Sequence, residues 1–281
     1  MATFSELVER NANLTDRDRE WLHTLVADWQ VIADLAFADL VLWLPRSDGE
    51  FVALAQCRSS SGPTVHYDDI VGRLLPGSSQ TLLATALETG EIQRAQEPRW
   101  FGANAIRDEA VPVVNDGRVI AVIARQTNLG AVRTPSRLEL NYVEAADELC
   151  RMVARGEFPS SSNITGNRRG APRVADGFMR LDADGVVTYS SPNALSCAHR
   201  VGVTGSLVGR NLLDTLRGPG MADQISEDIT PLVLAGRTPA RTEIQMRGVC
   251  ISMRAIPILT EGEHAGAILL CRDVTELRRR E

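Results

Sequence analysis

Residues 157–173 read EFPSSSNITGNRRGAPR, and this stretch constrains the fold more than any other. Ser, Gly, Pro, Asn and Arg dominate it. No apolar period survives, so neither a helix nor a strand can bury a face there. A chain of 281 residues has room for two domains of ordinary size, and this stretch divides it into halves that must each close a core. The expected layout is a first domain over 1–156, a linker over 157–173 and a second domain over 174–275. Residues 276–281 then begin a helix leading onward.

The first half opens with helices. Thr3 with Glu6 reads as a capping box, and Thr15 with Asp16, Asp18 and Glu20 as a second helix start. Leu22, Leu25, Trp29, Ile32 and Ala36 then follow 3-4-3-4 spacing. Strand-like runs occupy 40–44 and 51–57, with Ser47-Asp48-Gly49 turning between them. Two more, 109–114 and 118–125, flank Asn115-Asp116-Gly117; an Asp-Gly between apolar runs predicts a hairpin. A last helix is read from Thr134-Pro135, with Pro at its tolerated first position. It carries Leu138, Tyr142, Ala145, Leu149 and Met152 at heptad-like spacing. Each seam covers about two heptads. Two readings stand: each helix packs on its own sheet, or both form a bundle in a homodimer.

The second half has the same style. Runs 178–181 and 186–190 flank a turn at Asp182-Ala-Asp-Gly185; a helical, loop-rich centre covers 192–236; strands follow at 241–247, 249–259 and 264–272. The implied class is α+β: two domains, each an antiparallel sheet with helices packed on it, flanked by helices. At the C-terminus Asp273 reads as an N-cap with Glu276 as its capping-box acid. Arg278, Arg279 and Arg280 follow one turn later, where a helix is still beginning, so the reading has it continue past Glu281.

Composition removes several functions. All 30 basic residues are arginine, and a chain without lysine holds neither a P-loop nor a kinase-type ATP lysine nor a Schiff base. The net charge of −6 offers no general attraction to nucleic acid or anionic membrane. The most apolar stretch, 31–44, is short and carries Asp34 and Asp39, so no membrane span and no signal peptide are expected. The five cysteines (57, 150, 197, 250 and 271) show no CxxC pairing and read as reduced cytosolic thiols, mostly buried. The expected location is cytoplasmic. His23, His66, His199 and His264 form no pair at metal-ligand spacing, so no metal is expected.

A family resemblance sits on particular residues. FMRLDADGVVTYSSPNALS with LVGRNLLDTL, and AIPILTEGEHAGAILLCRDVTEL, resemble the front and back of a PAS domain. ALETGEI (86–92) and DEAVPVVNDGRVIAVIA (108–124) resemble the middle and closing hairpin of a GAF domain. The order GAF, linker, PAS is similar to the sensor region of cytosolic actinobacterial two-component sensor histidine kinases. The resemblance implies a sensory input region controlling autophosphorylation, with a response regulator as partner through a kinase core that this chain lacks. It implies that Asp273 and Thr275, the D-x-T signature, couple the PAS domain to the exit helix.

The ligand-binding candidates are Phe178, Tyr189, His199 and Leu212 in the second half and Trp100 in the first. Leu212 follows Gly209-Arg210-Asn211, where light-sensing PAS domains place a flavin-binding cysteine, so that photochemistry is not expected. Cys197 nearby reads as a buried small hydrophobe. No catalytic residue and no cofactor are expected, and the small-molecule ligand is unidentified. Two other classes stay open: a sensor for a cyclase, phosphatase or transcription factor, and a GAF-type thiol reductase using Cys57 and Cys150.

Overall fold

The computed structural model describes residues 3–10, 13–76, 81–130, 134–160, 170–217 and 229–280. The chain forms two compact units, Met1–Pro159 and Ser160–Glu281. Arg168-Arg169 and most of the stretch read as a linker lie outside the described residues.

The first unit runs α1 (Phe4–Glu9), α2 (Asp16–Asp28), α3 (Gln30–Ala36), β1 (Asp39–Pro45), β2 (Glu50–Cys57), β3 (Leu74–Pro76), α4 (Thr81–Thr89), β4 (Gln93–Arg94), β5 (Arg99–Phe101), β6 (Asn104–Asn115), β7 (Arg118–Asn128) and α5 (Arg137–Arg155). Its antiparallel sheet has the order β3-β2-β1-β7-β6-β4, with β5 also paired to β6. Alternation divides the faces. Val41, Trp43, Phe51, Ala53, Ala110 and Val122 pack with Leu83 and Ala86 of α4. Leu40, Leu42 and Leu44 point the other way and are fully buried. The Asp-Gly hairpin forms as read: Asp116 (φ 47°) and Gly117 (φ 72°) are both left-handed, as a twist-matched two-residue turn requires.

Two helix readings change. The apolar seam of 22–36 is not one helix: α2 ends at Trp29 (ψ −8°) and α3 starts beside it. The offset sets Gln30 and Asp34 against the loop after β2, where Gln30 Nε2 donates to Arg58 O and Asp34 accepts from Ser60 N. The last helix begins at Ser136, not Thr134-Pro135. The Ser136 hydroxyl accepts from Glu139 N while the Glu139 carboxylate accepts from Ser136 N (2.7 Å), so the reciprocal box decides the start. Leu22, Leu25, Ile32, Tyr142, Ala145 and Leu149 are buried within a single chain, α3 packs on α5, and α5 packs on β6. That is the reading in which the helices cover their own sheet. The N-terminal boxes at Thr3 and Thr15 form as read.

The second unit runs β8 (Phe178–Asp182), β9 (Val187–Ser190), α6 (Pro192–Arg200), α7 (Leu212–Leu216), α8 (Thr230–Leu234), β10 (Arg241–Met246), β11 (Val249–Thr260), β12 (Glu263–Asp273) and α9 (Thr275–Arg278). Sheet order is β10-β11-β12-β8-β9, every pairing antiparallel. The first strand of the unit therefore lies inside the sheet, beside the last. Both units are α+β, as expected. One sheet face, with Met179, Leu181, Ile251, Met253 and Leu269, packs against α6 (Ala194, Ala198), α7 (Leu212, Leu216) and α8 (Val233, Leu234). The Ser191 hydroxyl caps α6 by accepting from Ala194 N and also accepts from Phe178 N (3.0 Å), which ties that helix to the hairpin base. Among the described residues no helix is long and apolar enough to cross a membrane.

Candidate functional site

The space between the second sheet and its helices is nearly filled. A cavity of about 20 Å3 remains, lined among others by Cys197, Leu212, Leu216, Ile251, Met253 and Cys271. That is room for one water-sized sphere, and an all-apolar lining offers a water no partners. A larger ligand requires the helices to move outward.

Of the expected ligand residues only Leu212 lines this cavity. Phe178 and Tyr189 lie off it with their rings against each other, centroids 6.0 Å apart. Phe178 alternates with Met179 and Leu181 of the core face, so the strand pleat turns it away. His199 is exposed on α6, its Nε2 3.2 Å from Gly205 O. Trp100, in the other unit, is 70% exposed on β5. Cys197 is not a buried small hydrophobe: it is half-buried, and its thiol meets that of Cys271 across the cavity wall. The spacing of these two cysteines in sequence carries no sign of this; only the docking of α6 on β12 creates it.

The exit from the sheet is built differently from the sequence reading. Asp273 is not the N-cap of α9; Val274 holds that position without a side-chain cap. Instead Asp273 Oδ1 accepts from both Thr275 N (2.9 Å) and Thr275 Oγ1 (2.6 Å), closing a local turn. The buried Thr275 hydroxyl accepts in turn from Cys250 N (2.9 Å), and Val274 N donates to Cys250 O (2.9 Å). Asp273 ends β12 and Cys250 is the second residue of β11, so the turn is bolted to the neighbouring strand. Glu276 pairs with Arg279 rather than closing a box. Arg278 grips Glu243 of β10 with Nε (3.0 Å) and a terminal nitrogen (2.5 Å). The other Asp273 oxygen meets Arg200, the last residue of α6. Burial opposes ionisation of Asp273, but the Thr275 bonds and the Arg200 and Arg279 charges hold its carboxyl below its ordinary value. One carboxylate thus joins the cavity helix, the last strand and the outgoing segment.

The first unit holds a charge cluster the sequence did not announce. Arg125 of β7, 5% exposed, contacts Glu109 Oε2 (3.2 Å) and Asp147 Oδ1 (2.5 Å); Arg94 contacts Glu109 Oε1 (2.6 Å) and Asp147 Oδ2 (3.2 Å). Two arginines and two carboxylates close a neutral ring that fastens α5 to the sheet. Burial works against the Arg125 charge, yet the Glu109 and Asp147 carboxylates hold its guanidinium above its ordinary value. The ion pairs were missed because each partner sits on a different element.

The two cysteines of this unit occupy separate surroundings. Cys57 on β2 donates to Gln30 Oε1 (3.2 Å), and burial, with Asp34 and Asp39 nearby, pushes its thiol up to about 12. Cys150 on α5 faces Arg125 at 4.0 Å and is also raised, chiefly by burial. Neither is poised as a nucleophile, which removes the support for a thiol reductase using this pair. No group of three or more metal-binding side chains occurs among the described residues.

Comparison with known proteins agrees with this architecture. Residues 4–146 match the GAF domain of histidine kinase PdtaS, and residues 145–279 match the PAS fold. The chain is 38% identical over 291 aligned positions to the sensor histidine kinase PdtaS of Mycobacterium tuberculosis and 37% identical over 288 to that of Mycolicibacterium smegmatis. All of this chain is covered in both, against 58% and 57% of those proteins, so it spans a little over half their length. A solved structure described as the sensor region of a sensor histidine kinase superposes with a TM-score of 0.83 at 38% identity, covering 99% of this chain and 100% of that one. The chain belongs to the PdtaS family of sensor histidine kinases and corresponds to their sensor region.

Proposed function

We propose that this chain is a cytoplasmic sensory input region that sets the autophosphorylation rate of an ATP-dependent histidine kinase core, and through it phosphotransfer to a response regulator. The carrying observation is the bolted exit: Asp273 and Thr275 join α6, β11 and β12 to the segment that leaves the domain. A ligand that entered the second unit would have to displace α6 or α7, and α6 ends on the residue that holds Asp273. Two arrangements of the exit segment, differently populated, are then the output. The proposed domain layout keeps the sensor units on either side of the 157–173 linker, with the outgoing helix after Thr275.

The test joins this chain to the kinase core of a PdtaS relative and measures autophosphorylation with radiolabelled ATP. Asp273→Ala should shift the basal rate roughly five-fold or more, the lower end of a typical coupling free energy. The fold, read by circular dichroism, should be retained. An unchanged rate in a folded variant would sink the coupling role.

The same reading includes a homodimer, since histidine kinase output needs helices from two chains to meet. The apolar seams of α2, α3 and α5 are consumed inside each chain, so the dimer must use other surface, such as exposed Leu140 on α5. Native mass spectrometry of the 281-residue chain should show two subunits, and Leu140→Glu should yield monomer. A monomeric wild type counts against a dimer made by this region.

A further inference from the structure

Two thiols meet where the cavity ends and the exit begins. Cys197, on α6, is half-buried; Cys271, on β12, is 1% exposed. Both line the cavity, and their side chains pack together where α6 lies on β12. The Asp273 backbone amide and the Arg200 guanidinium both lie close enough to act on the Cys197 thiol. Gly177 makes the arrangement possible: a Cβ there would stand 2.6 Å from Cys271 Sγ.

The pair is asymmetric. Contact with the Cys271 thiol holds the Cys197 thiol below its ordinary value against the effect of burial, and the Asp273 amide and Arg200 assist. The same contact, with burial, pushes Cys271 well up. A partly exposed, more acidic thiol with a second thiol in contact is the arrangement expected of a reversible redox pair. The other cysteines differ. Cys57 and Cys250 are pushed up to about 12 and about 11, and Cys150 is fully buried beside a closed ion ring.

We propose that Cys197 and Cys271 form a hydroperoxide-responsive thiol pair that closes to a disulfide beside the exit segment. In the first step the Cys197 thiolate attacks the O–O bond. An S–O bond forms, the O–O bond breaks, and the leaving oxygen takes a proton to give water or an alcohol. In the second step the Cys271 sulfur attacks the Cys197 sulfenic acid. An S–S bond forms, the S–O bond breaks, and water leaves with the Cys271 proton. Two electrons pass from the two sulfurs to the peroxide, and a dithiol returns them. The disulfide draws two sulfurs from non-bonded contact to about 2.05 Å. It also removes the thiol that the Asp273 amide faces. The thiol chemistry stands independently of the kinase reading; its consequence for output rests on that reading.

The test oxidises the reduced 281-residue chain with hydrogen peroxide, blocks remaining thiols in denaturant and maps the peptides by mass spectrometry. The expected product is a Cys197–Cys271 cross-linked peptide lacking two hydrogens and restored by dithiothreitol, with Cys57, Cys150 and Cys250 still alkylated. In Cys271→Ser, dimedone should capture sulfenic acid on Cys197. Amide hydrogen exchange over 274–277 should change on oxidation of the wild type and not of Cys197→Ser. Absence of the cross-link in folded wild type, or first oxidation at another cysteine, overturns the pair. A cross-link without altered exchange overturns its link to the exit. Neither result bears on Asp273→Ala in the kinase fusion, so the two proposals fail separately.

Discussion

Replacing Arg125 with methionine should destabilise the first unit by about 3–5 kcal/mol, the usual loss when one partner of a buried ion cluster is removed. Methionine roughly preserves volume, so the loss is electrostatic. Glu109, 6% exposed, and the partly buried Asp147 would face each other with only the half-exposed Arg94 between them. Arg94 has water as an alternative and cannot reach the inner oxygens as Arg125 does. All four tryptophans (21, 29, 43 and 100) lie in this unit, so urea unfolding followed by tryptophan fluorescence reads it selectively. A second variant separates pairing from packing. Adding Glu109→Gln and Asp147→Asn to Arg125→Met removes the stranded charges and should recover much of the loss. A single-variant cost under about 1 kcal/mol would mean the ring behaves as a solvated surface pair. If the triple variant is no better than the single one, the cost lies in packing.

Gly266→Ala should destabilise the second unit by roughly 3 kcal/mol, combining overpacking with backbone strain. The residue has φ +154°, and an added Cβ would stand 2.3 Å from Leu181 O and 3.4 Å from Asp182 Cα. Both are backbone atoms of the paired strand, with Gly266 opposite Asp182 and Ala267 opposite Leu181. Backbone cannot swing aside as a side chain can. Relief requires β8 and β12 to separate, and β12 is the strand that ends at Asp273. Faster amide exchange in β8 and a lower melting transition measure the effect. Gly262→Ala is the control: φ there is +82° with nothing within 4 Å of the added Cβ, so it carries strain without collision and should cost about 1 kcal/mol. Equal losses at the two positions would show that the collision is relieved cheaply.

Much of the fold was legible before any coordinates. The hairpins at Asp116-Gly117 and Asp182–Gly185, the strands from 241 to 272 and the capping boxes at Thr3 and Thr15 are local signals, and local backbone chemistry satisfied them. The helix start at Ser136 was misplaced by a neighbouring proline that met the weaker of two rules. Asp273 shows a subtler error. It is the acceptor of a closed turn rather than a helix cap, because Thr275 carries a second donor in reach.

The site was much less legible. Phe178 and Tyr189 were chosen as aromatic, yet pocket lining depends on which face a strand turns inward, and the β8–β9 register shifts between Arg180 and Leu181, leaving Thr188 of β9 unmatched. The amino-acid sequence alone determined the class of each half, the succession of elements and the family resemblance, since these follow from periodicity, turns and caps between residues close in the chain. Tertiary structure alone decided the Arg125 ring, the small size of the apolar cavity and the meeting of Cys197 with Cys271. Each of these joins residues on separate elements, and a contact of that kind has no energy until the elements have packed.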